Sequence, residues 1–321
     1  MSLVCVGSIA YDCIEAIGAP PIQVLGGSAT YFSVAASFFA RPTIIGVIGD
    51  DFLEEDLVFL EHRGIDCSRI ERRKGNTFRW HGRYHEDMIG RDSLSLDLGV
   101  FKDFAPIIPK DLRAPDMLFL GNIEPRLQGL VLAQARDAGF VGLDTIECWL
   151  KPPHRQDLLR LLPKVDILFV NDEEVSMLAE ERNVVRAAKK VLTMGAKSVV
   201  VKRGEHGAMF FTSDTVRLFP AFPIEAVVDP TGAGDCLAGG LFGYLSIWKD
   251  KNIETITDAL AVGTVVASFC VEGFGPRHLD KVRPKDIVER LRAYSNMLGF
   301  KPHRVLEALR GLQCLEVSKT S

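Results

Sequence analysis

Residues 225–240 read EAVVDPTGAGDCLAGG, and the rest of the chain is best interpreted starting from this stretch. An apolar run ending at Val228 predicts a strand, and the small residues from Cys236 to Ile247 predict a helix. The glycine-rich turn between them would point unpaired backbone N–H groups, and the positive end of the helix dipole, at one spot. The sequence therefore predicts an anion site, suited to phosphate, at the start of this helix.

Asp235 lies in the first turn of the predicted helix, beside the expected anion. A carboxylate there can accept the proton of a hydroxyl group that attacks a phosphate. The alternative is a plain helix cap. A functional phosphate site is favoured over it by the preceding strand, the flanking Asp229 and the run of glycines taken together. Leu237 stands where a GxGxxG motif needs glycine, and no GxxxxGK[ST] occurs, which argues against Rossmann and P-loop nucleotide sites.

Short apolar runs alternate with amphipathic segments along most of the chain. Residues 3–8, 116–120, 140–144 and 166–170 predict buried strands, and the helical segments between such runs, 184–194 among them, predict a parallel sheet covered on both faces. Residues 76–87 and about 93–98 instead alternate polar and apolar side chains, like half-exposed strands. They predict a small projecting sheet, and the pattern leaves open whether it is an exposed hairpin or a lid over a ligand.

Composition excludes several functional classes. Lys and Arg total 38 against 42 Asp and Glu, which gives a formal net charge of −4. Long basic runs are absent from the sequence, so its charge pattern gives no reason to expect nucleic acid as a partner. Residues 16–40 carry no charge, but Pro20, Pro21 and glycines interrupt them, so a buried loop and helix is predicted there and not a membrane span. The seven cysteines form no CxxC pair, and residues 1–6 are not basic, which predicts reduced thiols and a cytoplasmic location.

Residues 229–235, DPTGAGD, resemble the DTxGAGD signature of the ribokinase-like, or PfkB, carbohydrate kinases, with Pro230 departing from the consensus. Three further family motifs occur in the expected order: a double glycine at 26–27, NxxE at 171–174 and KxGxxG at 202–207. On these four motifs the chain is identified as a member of this family.

The resemblance implies an α/β fold, a ribokinase-like three-layer α/β/α sandwich around a mostly parallel sheet, with a small β-sheet lid. Residues 1–300 would form the kinase domain, with the lid built from about 10–24 and 76–100. Residues 301–321 would form a C-terminal helix and tail. The family also implies that a homodimer can form through the lid.

The activity implied by the resemblance is transfer of the γ-phosphoryl group of ATP to a hydroxyl of a small sugar or sugar derivative. Asp235 would be the catalytic base, and the amides of Gly232, Ala233 and Gly234 would help form the anion hole. A nucleoside kinase of the adenosine type is the main alternative, because one scaffold serves both acceptors. A ligand-binding homologue without catalysis is a further alternative, against which the intact Asp235 argues.

The family also implies where nucleotide and metal bind. Asn171 and Glu174 would organise Mg²⁺, largely through water, as this reluctantly dehydrated ion prefers. A potassium ion near Asp229 is possible by the same analogy. The remaining nucleotide-binding residues implied are Lys202, Gly204, Gly207, Thr231 and Gly273.

The acceptor would bind near the double glycine. Asp12 would bind sugar hydroxyls, although it is also explained as a capping residue at a loop, and Gly26 and Gly27 would let the backbone approach the ligand. The family usually has asparagine where this chain has Tyr31, so the acceptor contact is altered or moves to Ser28 or Thr30.

The small sheet carries side chains that could cover the acceptor, namely Arg79, Trp80 and Arg83. Taken individually, each of the three is better explained as ordinary surface of the sheet.

Overall fold

The computed structural model describes residues 1–15, 20–85 and 91–299. The strands in these ranges are, in chain order, β1 (Leu3–Val6), β2 (Ala10–Glu15), β3 (Ile22–Gly26), β4 (Pro42–Ile48), β5 (Ile70–Arg72), β6 (Phe78–Tyr84), β7 (Arg91–Asp97), β8 (Met117–Leu120), β9 (Phe140–Asp144), β10 (Ile167–Asn171), β11 (Val199–Lys202), β12 (Ala208–Phe211) and β13 (Val216–Phe219). The α-helices are α1 (Ser28–Ala36), α2 (Glu54–His62), α3 (Pro125–Gln134), α4 (Arg155–Leu161), α5 (Asp172–Ala179), α6 (Val184–Thr193), α7 (Ala233–Leu245), α8 (Ile253–Cys270) and α9 (Pro284–Leu298).

Nine of these strands form one large sheet in the order β13-β12-β11-β10-β9-β8-β1-β4-β5. Pairing is parallel from β11 through β10, β9, β8, β1 and β4 to β5, and antiparallel only at β12 and β13. The mostly parallel sheet predicted from the alternating pattern is therefore confirmed. The carboxyl ends of its parallel strands meet at one edge, where ligand sites of open α/β sheets form.

Helices cover both faces of the large sheet, because its strands are apolar on both sides. In β1, Leu3 and Cys5 pack into a buried cluster with side chains of α1, α7 and α8. The alternate residues Val4 and Val6 pack into a second cluster with side chains of α3, α4, α5 and α6. This arrangement confirms the three-layer sandwich.

The second sheet has four strands in the order β3-β2-β6-β7. The alternating segments 76–87 and 93–98 predict β6 and β7, and both strands are confirmed. β2 and β3 lie near the range, about 10–24, that the family resemblance assigns to the lid, whereas the uncharged run at 16–40 by itself predicts a loop and helix, which β3 corrects. β2 pairs with distant β6, which local sequence does not reveal, and β3 pairs with β2. The implied tail at 301–321 lies outside the described residues.

The strand predicted to end at Val228 is wrong. Residues 221–230 form no strand, and the N–H groups of Val228 and Asp229 both donate to the carbonyl of Val271, at 2.8 and 3.3 Å. The segment contains Pro223 and ends at Pro230, and proline supplies no N–H for a sheet ladder. An apolar run alone therefore overpredicted a strand here.

One described helix, α8, is long and apolar enough to cross a membrane by length and composition. However, 72% of it is buried inside the protein, where it packs against α7. Core helices pass the same test, so α8 is explained by its place in the core.

Candidate active site

The glycine-rich turn caps α7 as the sequence predicts, although the helix begins at Ala233, three residues earlier than expected. Gly232 precedes it with φ +76°, a left-handed conformation that favours glycine. A Cβ atom on Gly232 would also overlap the ring of Tyr31. Asp235 is the third residue of the helix and therefore lies in its first turn.

Buried contacts from three directions hold the turn before α7. The N–H of Thr231 donates to Oδ1 of Asp229 at 2.9 Å, and the Thr231 carbonyl accepts from the Cys270 thiol at 3.5 Å. The Thr231 hydroxyl pairs with the hydroxyl of Tyr84, at the end of β6, at 2.8 Å. The turn is thus fixed by its own aspartate, by the end of α8 and by the small sheet.

Lys202 reaches the same helix start from the carboxyl end of β11. Its Nζ lies 2.7 and 3.0 Å from the two carboxylate oxygens of Asp144, at the end of β9. A Cβ atom on Gly234 would lie 3.4 Å from this Nζ, so the ammonium group borders the first turn of α7. Burial lowers the pKa of Lys202, but Asp144, Glu174 and Asp235 raise it to above its ordinary value.

Asn171 and Glu174 cap α5 with a reciprocal pair of hydrogen bonds. The Glu174 N–H donates to Oδ1 of Asn171 at 2.7 Å, and the Asn171 N–H donates to Oε2 of Glu174 at 2.8 Å. Asn171 ends β10 and pairs in register with Lys202 on β11. The NxxE and KxGxxG motifs therefore meet at the carboxyl edge of the sheet.

The acceptor motif forms a second cluster, at the start of α1. Asp12 is buried on β2, and its carboxylate lies directly against Gly26 on the neighbouring strand, leaving no room for a side chain there. Gly27 has φ +93° and approaches the Ser8 carbonyl. The N–H of Ser28 donates to the Ser8 hydroxyl at 3.0 Å.

Tyr31 connects the two clusters but is only 1% exposed. Its hydroxyl is buried and has no hydrogen-bond partner among the described residues. Burial raises the pKa of this phenol well above its usual range, and the nearby Asp12, Cys270 and Asp229 raise it further. The side chain underlies the turn at Gly232, so a direct contact with an acceptor would require it to move.

The small sheet does not place all three of the predicted covering residues on the face that carries Asp12. Asp12 pairs in register with Trp80, so these two side chains share one face. Arg79 and Arg83 are on the opposite face, where they form ion pairs with Asp51 and Glu15 at 2.5 and 2.6 Å. Only Trp80 of the three predicted covering residues shares the face of Asp12.

The remaining predicted nucleotide residues lie in turns. Gly204 begins the short 3-10 helix Gly204–His206, which joins β11 to β12, and Gly207 follows it. Gly273 follows α8 and lies against the ring of His278.

Sequence reasoning missed Asp144, which touches the site, and did not foresee the bond that Tyr84 forms with Thr231. Asp144 ends a predicted strand over 140–144, and a carboxylate at that edge of a parallel sheet is a signal that was available. Tyr84 carries no comparable signal, because its bond to Thr231 joins residues that are 147 positions apart.

Comparisons with known proteins show the family of this chain and its fold. The family model for pfkB family carbohydrate kinases matches residues 2–282. A cytidine kinase from Thermococcus kodakarensis is 32% identical over 251 residues, covering 76% of this chain and 88% of that protein. The fold is similar to that of Arabidopsis thaliana ribokinase complexed with ribose and ATP, with TM-score 0.74 and 21% identity over 90% of this chain and 98% of that one. It is also similar to adenosine kinase from Sinorhizobium meliloti, with TM-score 0.72 and 22% identity over 86% of this chain and 95% of that one.

The chain therefore belongs to the PfkB family of carbohydrate kinases and has the ribokinase-like fold. It is a phosphotransferase, and the curated relatives include kinases named for both sugars and nucleosides.

Proposed function

We propose that this kinase transfers the γ-phosphoryl group of ATP to a hydroxyl of a sugar ring. The observation that carries the proposal is the position of Asp235 in the first turn of α7, with the Lys202 ammonium bordering the same turn at Gly234. A base, a cation and the N-terminus of a helix then converge on one point, and phosphoryl transfer needs these three groups together.

The γ-phosphate of ATP would bind at the N-terminus of α7. Backbone N–H groups at this helix start, among them those of Gly232 and Gly234, would donate to its oxygens, as helix N-termini do for anions, while the Ala233 N–H donates to the Pro230 carbonyl at 3.2 Å. The acceptor hydroxyl would lie beside Asp235, which takes its proton as the new oxygen–phosphorus bond forms. Preorganised donors at this point would stabilise the charge that develops on the phosphoryl oxygens.

The donor set near this point fits Mg²⁺ held mainly by water and phosphate. No group of three or more His, Cys, Asp or Glu side chains suited to a metal occurs in the described ranges. Mg²⁺ commonly uses one or two carboxylates together with substrate phosphates. Glu174, a buried carboxylate fixed by Asn171, supplies such a ligand, directly or through water. When bound, Mg²⁺ neutralises charge on the β- and γ-phosphates.

The acceptor would bind between Asp12 and the start of α1. Asp12 accepts hydrogen bonds from sugar hydroxyls in this proposal, while Gly27 and Ser28 border the ring. A free sugar is the first candidate. A nucleoside is the second, favoured by the similarity to a cytidine kinase over 76% of the chain and by Trp80 on the Asp12 face, where an aromatic ring could stack on a base.

The family suggests three further properties, which stay predictions. They are a homodimer formed through the small sheet, a potassium ion near Asp229 and a cytoplasmic location. The partners proposed are small molecules and not nucleic acid or a membrane, in keeping with the net charge of −4.

The test is ADP release from ATP on a panel of sugars and nucleosides, for the wild type, Asp235→Asn and Asp214→Asn. Loss of a general base lowers kcat by about 100- to 10,000-fold, so Asp235→Asn should lose turnover to that extent. Asp214, an exposed carboxylate between β12 and β13, is the matched control and should keep it. Undiminished turnover in Asp235→Asn would exclude this base, and stimulation by no acceptor would favour a ligand-binding protein.

A further inference from the structure

Asn122 is a polar side chain at the carboxyl edge of the large sheet that neither the motifs nor the proposed function uses. It follows β8, which pairs in parallel with β1 on one side and with β9 on the other. β1 leads on to Ser8 in the acceptor cluster, and β9 ends at Asp144, which holds Lys202. Asn122 therefore follows the strand that lies between the proposed acceptor and phosphate sites.

The backbone that leads to Asn122 is packed against the acceptor motif. A Cβ atom on Gly121 would lie only 2.7 Å from the Ser28 hydroxyl, at the start of α1. On the other side, Nε2 of the fully buried Gln128 donates to the carbonyls of Gly121 and Asp144, both at 2.9 Å. These contacts fix the end of β8 between Ser28 and the end of β9.

The Asn122 side chain is oriented by Trp149, in the segment that follows β9. The indole Nε1 of Trp149 donates to Oδ1 of Asn122 at 2.8 Å. Because an indole N–H can only donate, the amide oxygen must face it and the amide NH2 group must face away. Trp149 is itself held by His154, since the two rings pack edge-on with their centroids 4.8 Å apart. The amide therefore has one defined orientation.

A role in the fold alone does not account for this amide. The contact with Trp149 needs one acceptor atom, which a carboxylate would supply equally well. Among the residues that the structure describes, no group accepts a hydrogen bond from Asn122 Nδ2. Asn122 and Trp149 are both half-buried, at the edge where open α/β sheets bind their ligands. Two oriented donors at this edge suit a lone pair on a bound molecule.

We propose that Asn122 binds the acceptor through its amide N–H groups, and that Trp149 is a positioning residue that keeps the amide in this orientation. This inference rests on the proposed kinase function. The atom bound is an oxygen or nitrogen with a lone pair, which a sugar supplies through its oxygens and a nucleoside also through its base. Asp12 can only accept hydrogen bonds, so Asn122 would supply the complementary donors.

The experiment compares Asn122→Asp with the wild type by ADP release, with ribose, fructose, cytidine and adenosine as acceptors. Aspartate has nearly the same shape and still accepts the Trp149 N–H, but it has lost both donors. The KM for the acceptor should rise by about 10- to 100-fold, while kcat stays within about 3-fold and the KM for ATP within about 2-fold. A purely structural asparagine predicts no change, because the bond that the fold uses is kept.

Two further variants separate the lost donors from the new charge. Asn122→Ala adds no charge and should still raise the acceptor KM by about 10-fold. Asn183→Asp is the matched control, because Asn183 is exposed at the start of α6 and its Oδ1 accepts the Arg186 N–H at 3.0 Å. The same chemical change there should leave both KM values and the Tm at their wild-type values.

Trp149→Phe tests the positioning step. It removes the indole N–H but keeps an aromatic ring, so the Asn122 amide is free to turn over. We expect the acceptor KM to rise by about 3- to 10-fold. In the Asn122→Asp background the same change should cause no further rise, because no donors remain to be oriented.

The acceptors also reveal which atom Asn122 binds. A loss confined to cytidine and adenosine would support a contact with the base, and a loss with all four compounds would support a contact with the sugar. Calorimetric titration of the same four compounds gives their affinities without turnover, and circular dichroism checks that each variant is folded.

The inference is overturned if Asn122→Asp keeps the wild-type acceptor KM, if the KM for ATP rises equally, or if none of the four compounds binds. An additional loss from Trp149→Phe in the Asn122→Asp background would overturn the positioning role. A wild type that binds an acceptor without turnover would refute the proposed function, whereas the affinities of the wild type and Asn122→Asp would still test Asn122.

Discussion

At the level of single residues, close contacts explain the glycines of the acceptor motif. Gly26 has no room for a side chain, because the Asp12 carboxylate lies directly against its Cα. The two residues are on neighbouring strands, where β2 pairs with β3. The double glycine thus does more than shape a turn, since its first member sets the position of a candidate ligand for the acceptor.

Gly26→Ala should therefore impair acceptor binding selectively. The new methyl group displaces the Asp12 carboxylate, and hydrogen bonds to a charged group contribute about 1.5–3 kcal/mol each. We expect the KM for the acceptor to rise by about 10- to 100-fold and the KM for ATP to stay within 2-fold. Steady-state kinetics with each substrate varied in turn checks this. An equal rise in both KM values would argue against a role of Asp12 in acceptor binding.

At the level of elements, the sequence predicted those with a local signal and missed those defined by distant partners. The strand over 140–144 and the helix beginning at residue 184 were predicted with these starts, because a continuous apolar run and a 3.6-residue period are local. β2 pairs with β6, more than 50 residues away, so nothing in its local pattern reveals it, and β3 in turn pairs with β2. The run at 221–228 was misjudged because Pro223 within it and Pro230 just after it outweigh its apolar character.

The same reasoning applies to the candidate site. The motifs located Asp235, Asn171, Glu174 and Lys202 because each lies at a strand or helix end with a recognisable spacing. No motif indicated that Tyr31 would be buried beneath the turn at Gly232, since that contact joins α1 to α7 across the fold.

The contact between β6 and the turn before α7 leads to a prediction about Tyr84→Phe. This change removes the 2.8 Å bond to the Thr231 hydroxyl and leaves that buried hydroxyl without this partner, at a cost of about 1–3 kcal/mol. We expect a lower Tm and a kcat reduced by about 3- to 10-fold, because the turn carries the candidate anion hole.

Tyr294→Phe is the matched control for this prediction. Its hydroxyl donates to the Pro220 carbonyl at 2.7 Å, so the same atom is deleted from a comparable bond. Its Tm should fall similarly while its kcat stays at the wild-type value. A kcat lowered to the same extent in both variants would mean that Tyr84 acts only through stability.

At the level of the whole molecule, α1 and α7 lie far apart in the sequence but have their N-termini close together. Tyr31 of α1 lies on Gly232, Phe32 on Gly239 and Ala36 on Gly243, so α1 and α7 run side by side in one direction. The acceptor motif precedes α1 and the anion hole begins α7. The distance between the proposed acceptor and phosphate sites therefore depends on how closely these two helices pack.

Gly239→Ala tests this dependence away from either site. A methyl group on Gly239 would overlap the Phe32 carbonyl and lie 2.9 Å from Ala35 Cβ, which forces the helices apart. Overpacking of this kind destabilises by about 1–3 kcal/mol. We expect a lower Tm, measured calorimetrically, and a kcat reduced by about 10-fold or more, since the reacting groups need close alignment.

Gly129→Ala on α3 is the control, because its methyl group would meet only Leu161 at 3.5 Å and should leave both quantities unchanged or raise the Tm slightly. A Gly239→Ala variant with a reduced Tm but wild-type kcat would show that the spacing of α1 and α7 does not control the reaction.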